Sequence, residues 1–243
     1  MFTLFRKEIS SFLSSLTGYI VITVFLLINS LFLWVFPMDF NILDFGYSGI
    51  DGLFVIAPFV FLFLIPAITM RSFSDEKKAG TMELLMTKPV SELHIILSKY
   101  FAGLLLVIFS LLPTLIYFYS VYKLGAPPGN IDLGATWGSY IGLLLLGAVF
   151  VSIGLFCSSL TDKQVLAFIL SVFICGFAYI GFEFIYSLEL FGKIDLLIQS
   201  MGINAHYVSM SRGVIDTRDL LYFISLIVVF LLLTKISIER RKW

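Results

Sequence analysis

The sequence predicts an all-α, polytopic membrane protein with six transmembrane helices, an amphipathic interfacial (elbow) helix ahead of them, a short helix between spans two and three, and short re-entrant helices before the last span. Hydrophobic residues fill 59% of 243 positions, charged residues only 13%, and mean hydropathy is +1.02. A water-soluble domain of that composition would lack the polar surface to cover itself. Six stretches also reach the roughly 20 apolar residues needed to cross about 30 Å of hydrocarbon at 1.5 Å per residue. Their runs are continuous, without dyad alternation, so helices rather than a barrel satisfy the backbone in lipid. The whole of 1–243 reads as one transmembrane domain.

Residues 1–16 form the elbow helix. Phe2, Phe5, Ile9, Phe12, Leu13 and Leu16 recur at spacings of three and four, while Arg6, Lys7 and the serines take other faces. At 100° per residue the apolar set makes a stripe about 100° wide. Such a helix lies in the headgroup plane and enters the first span near Gly18. Arg6, Lys7 and Glu8 argue against its being a mere extension of that span. The first residues lack the flank and cleavage site of a signal peptide, so the first span is expected to remain. The spans follow at about 17–36, 53–70, 94–122, 138–160, 164–188 and 219–237. Cys157 and Cys175 sit inside apolar runs as small hydrophobes rather than a disulfide or metal pair. The fourth span carries Gly138 and Gly142, then Gly147, Ala148, Ser152 and Gly154, small residues that let helices approach closely, within the chain or across a dimer seam. The last segment, Lys235 to Trp243, is a basic stop with an interfacial aromatic.

An even number of spans puts both termini on one side. Arg6, Lys7, Arg71, Lys77, Lys78, Lys88, Lys99, Lys163, Lys235, Arg240, Arg241 and Lys242 share that face, against Lys123, Lys193, Arg212 and Arg218 opposite, a ratio of 12 to 4. The excess of cations marks the cytoplasmic side. The first outer loop agrees, with Asp39, Asp44 and Asp51 and no cation. Lys plus Arg equals Asp plus Glu at 16 each, so net charge gives no sign of a nucleic-acid partner.

Between spans two and three lies a charged island, 71–93. Arg71 to Lys78 extends the second span as a polar helix, and Ala79-Gly80 ends it, since Gly tolerates the left-handed C-terminal conformation. Thr81 is the expected N-cap of a short helix through Thr87, with Glu83 near its positive end. Pro89 stops it, and Ser91 with Glu92 starts the third span. Met82, Leu84, Leu85 and Met86 would each lose roughly 1.5–3 kcal/mol if left in water, so something covers them. The cover is either another subunit or the membrane surface and the chain's own spans.

The segment Met70-Arg71-Ser72-Phe73-Ser74-Asp75-Glu76-Lys77, then Gly80-Thr81-Met82-Glu83-Leu84-Leu85-Met86-Thr87-Lys88-Pro89-Val90-Ser91, resembles the signature of type-2 ABC transporter permeases. The order of elements matches over the whole chain. Ser211 to Asp219, ahead of the last span, is similar to the gliding-motility ABC permease subunit of Bacteroidetes. The resemblance implies that 81–87 is a coupling helix seated in a groove of a separate ABC ATPase subunit, with Arg71, Asp75, Glu76 and Lys77 at the subunit rim. It also implies a bacterial inner-membrane location, a second permease protomer (a homodimer or a related chain) and an additional gliding-motility membrane subunit. Membrane lipid is the remaining partner, and no nucleic acid is expected. No cofactor is expected on this chain; ATP and Mg belong to the ATPase. Gly192-Lys193 lacks the upstream glycine of a phosphate loop, so this chain is not expected to be an enzyme.

Glu183 lies in the outer half of the fifth span, where a carboxylate is expensive enough to point to function. It either lines a path between protomers or sits at the outer interface, exposed to water or paired with Lys193 or Arg212. His94 and His206 fall on opposite faces and cannot share a metal. The outer stretch 189–218 is too short in apolar residues to cross but too apolar for a free loop; short re-entrant helices fit, with Gly192, Gly202 and Gly213 as turns. In the resembled family this region forms an external gate, which makes Glu183, His206 and Arg212 its candidate residues, although a simple cap on the bundle fits equally. The 26 Phe and 11 Tyr are spread through all spans without a stripe, as lipid-facing aromatics would be. The sequence thus reads as an ATP-coupled permease subunit. The alternative is a non-transporting scaffold of an envelope machine.

Overall fold

The structure, a computed structural model, describes residues 2–44, 46–86, 91–189, 192, 195–213 and 215–240, with the backbone alone at 17 and 84–86. Among the described residues it is all helical, and six helices are long and apolar enough to cross a membrane. The elbow helix α1 (Phe2–Ser14) is separate from α2 (Leu16–Ser30), because Ser15 between them is extended, at φ −92° and ψ 144°. The break folds the chain so tightly that a Cβ on Gly18 would lie 2.5 Å from the Phe12 carbonyl oxygen. Only glycine fits there. A π-helical turn, Leu31–Val35, completes the first span.

The second span, α3 (Asp51–Thr69), contains Pro58 and Pro66. Proline has no N–H, so Pro58 leaves the Phe54 carbonyl without its intrahelical donor. The Tyr207 hydroxyl takes that place, donating to Phe54 O at 2.7 Å. Burial raises the Tyr207 phenol well above its usual pKa, with Tyr179 adding to the effect, which keeps the donor protonated. After a turn at Met70 the helix resumes as α4 (Arg71–Lys78), and Gly80, at φ +67°, turns the chain into α5 (Thr81–Met86). The third span is α6 (Glu92–Leu111), a short 3₁₀ turn at Leu112–Thr114, and α7 (Leu115–Leu124).

The fourth span, α8 (Leu133–Leu160), is the hub, its N-terminus capped by Asp132, which accepts from the Ala135 amide at 3.0 Å. It packs against α3, α4 and α6 and against the later helices, and 78% of its apolar window is buried, against 17% for the last span. Its small residues explain the fit. A Cβ on Gly154 would lie 2.0 Å from Thr69 Oγ1, and one on Gly138 2.6 Å from the Met210 carbonyl. Gly138 and Gly142 therefore serve packing inside the chain, against α12 (Ile203–Ser211).

The fifth span joins α9 (Gln164–Gly176), a π-helical stretch Phe177–Gly181 and α10 (Phe182–Ser187). Cys157 and Cys175 are buried free thiols. Beyond the span, α11 (Asp195–Ser200) and α12 lie at the end opposite the termini, α12 seated through buried Ile203, Tyr207 and Met210. The last span is α13 (Thr217–Glu239). Hydrogen bonds place both termini at one end: α1 bonds to α6 through Glu8 and Lys99, and Ser237 Oγ donates to Ser159 O at 3.0 Å.

Tyr207→Phe keeps the ring but strands the Phe54 carbonyl, and unfolding in micelles or bicelles should show a loss of about 1–2 kcal/mol. In a Pro58→Ala background, where the alanine restores the backbone donor, the same substitution should cost much less.

Candidate functional site

At the termini end, one cation holds three helices. Lys99 is 4% exposed, two turns into α6. Its Nζ donates to Glu8 Oε1 of α1 at 3.2 Å and to Glu76 Oε1 of α4 at 2.9 Å, and lies 5.2 Å from the Phe73 ring centroid. An ammonium removed from water needs such partners, since burying it alone costs far more than any packing returns. Glu76 Oε2 is buried and makes no hydrogen bond among the described residues.

The rest of α4 is clamped as well. Ser158 of α8 bridges the Met70 turn, its Oγ donating to Met70 O at 2.9 Å and accepting from the Phe73 and Ser74 amides at 3.0 and 3.2 Å. The Gln164 amide of α9 donates to Asp75 Oδ1, and Lys77 Nζ donates to Ser159 O. Asp75, Glu76 and Lys77, the residues whose resemblance implied a rim, are thus half-buried and bonded within the chain, while Arg71 is exposed. Inside this chain they fix α4 to α6, α8 and α9.

In α5, Thr81 and Glu83 are exposed. Thr81 does not cap: its hydroxyl donates back to Glu76 O at 3.3 Å, and it is the first helical residue after the left-handed Gly80. Met82 is 8% exposed and belongs to the main core, so its cover is the chain itself. The side chains of Leu84, Leu85 and Met86, and all of Thr87 and Pro89, lie outside the described residues.

At the opposite end, Glu183 lies in the first turn of α10 and is exposed. Its partner is the Asn204 amide of α12, which donates to Oε2. Arg212 faces the same cleft, of about 310 Å³, with Gln199 and Ser209, but makes no ion pair with Glu183. Lys193, the other cation considered for Glu183, lies outside the described residues. A second cleft, of about 390 Å³, shares Tyr179, Glu183, Asn204 and Val208 with it and reaches Asp51, Phe59 and Tyr207. His206 lines neither cleft. Its Nδ1 shares a 2.7 Å hydrogen bond with Asp219 Oδ1, its Nε2 donates to Ser200 O at 2.9 Å, and its ring stacks on Tyr222 with centroids 3.9 Å apart. It ties α12 to the start of α13. The structure thus brings Glu183 and Arg212 to one cleft and sets His206 apart as a fastener. Among the described residues no three His, Cys, Asp or Glu side chains are grouped to hold a metal ion.

A family model described as ABC-2 family transporter protein matches residues 3–243. The chain belongs to the ABC-2 transporter family. No curated protein matches it closely. This ABC-2 chain is therefore a multi-pass transporter membrane subunit, and its clamped α4 and outer clefts are the parts of that subunit with unusual chemistry.

Several of these residues carry no functional weight in the sequence. Lys99 counts there only as one cation for orientation, although it lies within an apolar run, where an ionisable residue marks function or a partner. Glu8 reads as one polar face of the elbow helix, and nothing in sequence pairs it with a lysine 91 positions away. Asn204 and Tyr179 have no signal beyond their outer position.

Lys99→Met leaves two buried carboxylates facing each other and should destabilise the ABC-2 subunit by about 3–5 kcal/mol in denaturant titration. Adding Glu8→Gln and Glu76→Gln should recover most of that loss, because the repelling charges go too.

Proposed function

We propose that this ABC-2 permease subunit receives the work of ATP hydrolysis from a separate ATPase at α5 and passes it through α4 to the spans. The observation that carries the reading is the Lys99 clamp: α4, directly before α5, is bonded to α1 and α6 by one buried cation. A force on α5 therefore moves an elbow helix and three spans together rather than a loose loop. ATP and Mg sit on the partner. Arg71, exposed, and the α5 residues Thr81 and Glu83 are the accessible groups of the docking surface, with Leu84, Leu85, Met86 and Pro89 expected to complete it.

The subunit sits in a bacterial inner membrane with both termini in the cytoplasm, a placement supported by the 12 to 4 distribution of Lys and Arg. It pairs with a second permease protomer; the poorly buried windows of the first, fifth and last spans, at 28%, 22% and 17%, leave faces for lipid and for that protomer. The outer region 189–218, with Glu183 and Arg212 lining a cleft and His206 fastening α12, acts as the external gate. The resemblance of Ser211 to Asp219 supports a place in gliding motility, with a further membrane subunit of that system as partner.

Co-purification tests the coupling: the wild type should retain an ATPase subunit, and Leu84→Asp should lose at least tenfold of it while keeping its own fold, since a charge in an apolar seat costs several kcal/mol. Retention equal to wild type would sink the role of α5. For orientation, with Cys157 and Cys175 replaced by serine, a membrane-impermeant maleimide on intact cells should label Pro128→Cys and not Ala79→Cys.

A further inference from the structure

The outer cleft between α3, the π-helical stretch before α10, and α12 has a one-sided chemistry. Two carboxylates, Asp51 and Glu183, line its 390 Å³, and among the described residues no lysine, arginine or histidine does. Its walls are aromatic: Phe54, Phe59, Tyr179 and Tyr207. The volume lies within the range of small-molecule sites. Most polar groups around it are engaged. The Tyr207 hydroxyl is given to Phe54 O, Asp51 accepts from the Tyr47 hydroxyl, and Glu183 accepts from Asn204. Tyr179 is the exception. It is 5% exposed, lines the cleft, and its hydroxyl makes no hydrogen bond among the described residues. The ring is buried but its oxygen opens to the cleft, where a ligand can take the place of water as its partner.

We propose that this cleft binds the cationic group of an amphipathic organic cation, with Glu183 and Asp51 as counter-charges, the Tyr179 oxygen as a polar contact, and Phe59 with its aromatic neighbours as the cation–π and apolar wall. Two carboxylates with low-dielectric walls and, among the described residues, no lining cation focus a negative potential that an ammonium or phosphonium satisfies and an anion does not. Arg212 lines the adjoining cleft and not this one. The proposal names the substrate class for the transporter reading above and rests on it. The same cationic chemistry is found in a free organic cation and in a choline-type lipid headgroup.

The test is equilibrium dialysis of the purified full chain in neutral maltoside micelles against tetraphenylphosphonium, with tetraphenylborate as the probe of equal shape and opposite charge. Saturable binding of the phosphonium without the borate is expected. Glu183→Gln should weaken it about tenfold, as loss of one partly desolvated charge pair does, and Tyr179→Phe should weaken it measurably. Equal binding of both probes by the wild type overturns the proposal, as does undiminished binding by a folded Glu183→Gln chain. Folding of each variant is read from its unfolding midpoint; the wild-type comparison of the two probes decides by itself if a variant fails to fold. Displacement by benzyltrimethylammonium alone assigns a free cation, and displacement by phosphocholine as well assigns a headgroup; both support the site. ATPase retention is read separately, so loss of coupling in Leu84→Asp leaves phosphonium binding as the independent result.

Discussion

A single buried ammonium organises the termini end of the molecule. Lys99 is the point at which α1, α4 and α6 meet, and its nitrogen bonds to a carboxylate from each of the other two helices. Without it, Glu8 would draw the elbow helix back toward water and Glu76 would lift α4 off the bundle, because neither carboxylate tolerates burial alone. The clamp also explains why a polar helix of eight residues follows an apolar span without fraying into a loop. Asp75, Glu76 and Lys77 bond to Gln164, Lys99 and Ser159, and Ser158 holds the first turn, while Arg71 and Lys78 face outward.

The two ends of the bundle solve different problems around the same hub. α8 offers glycines to both: Gly154 meets Thr69 near the clamp, and Gly138 meets the α12 backbone at the far end. Contacts that close leave no room for sliding, so α8 is the element least free to move, and rearrangement falls to the peripheral helices. This division fits a transporter subunit, in which a stiff centre lets motion at one end be read at the other.

The six spans were legible because hydrophobic run length is an additive signal that needs no tertiary knowledge. The elbow helix was legible from its stripe, and Gly80 from the need for a left-handed turn. The clamp was not. Lys99 is locally just a lysine near the start of a span, and its meaning comes from carboxylates 23 and 91 positions away. Glu183 stood out as an intramembrane carboxylate, but its partner Asn204 is brought by a return of the chain that no periodicity encodes. Of the apolar residues of α5, Met82 points into the core of its own chain, one of the two covers that the sequence leaves open.

The proline in α3 carries a further consequence. A helix interrupted at Pro58 has one carbonyl that its own backbone never reclaims, and here the missing donor arrives from Tyr207, on a separate outer helix 153 residues away in sequence. The second span at Pro58 and the seating of α12 are therefore mechanically linked. A change in the second span that moves the Phe54 carbonyl must either carry α12 along or break this bond, which ties a buried span to a helix outside it.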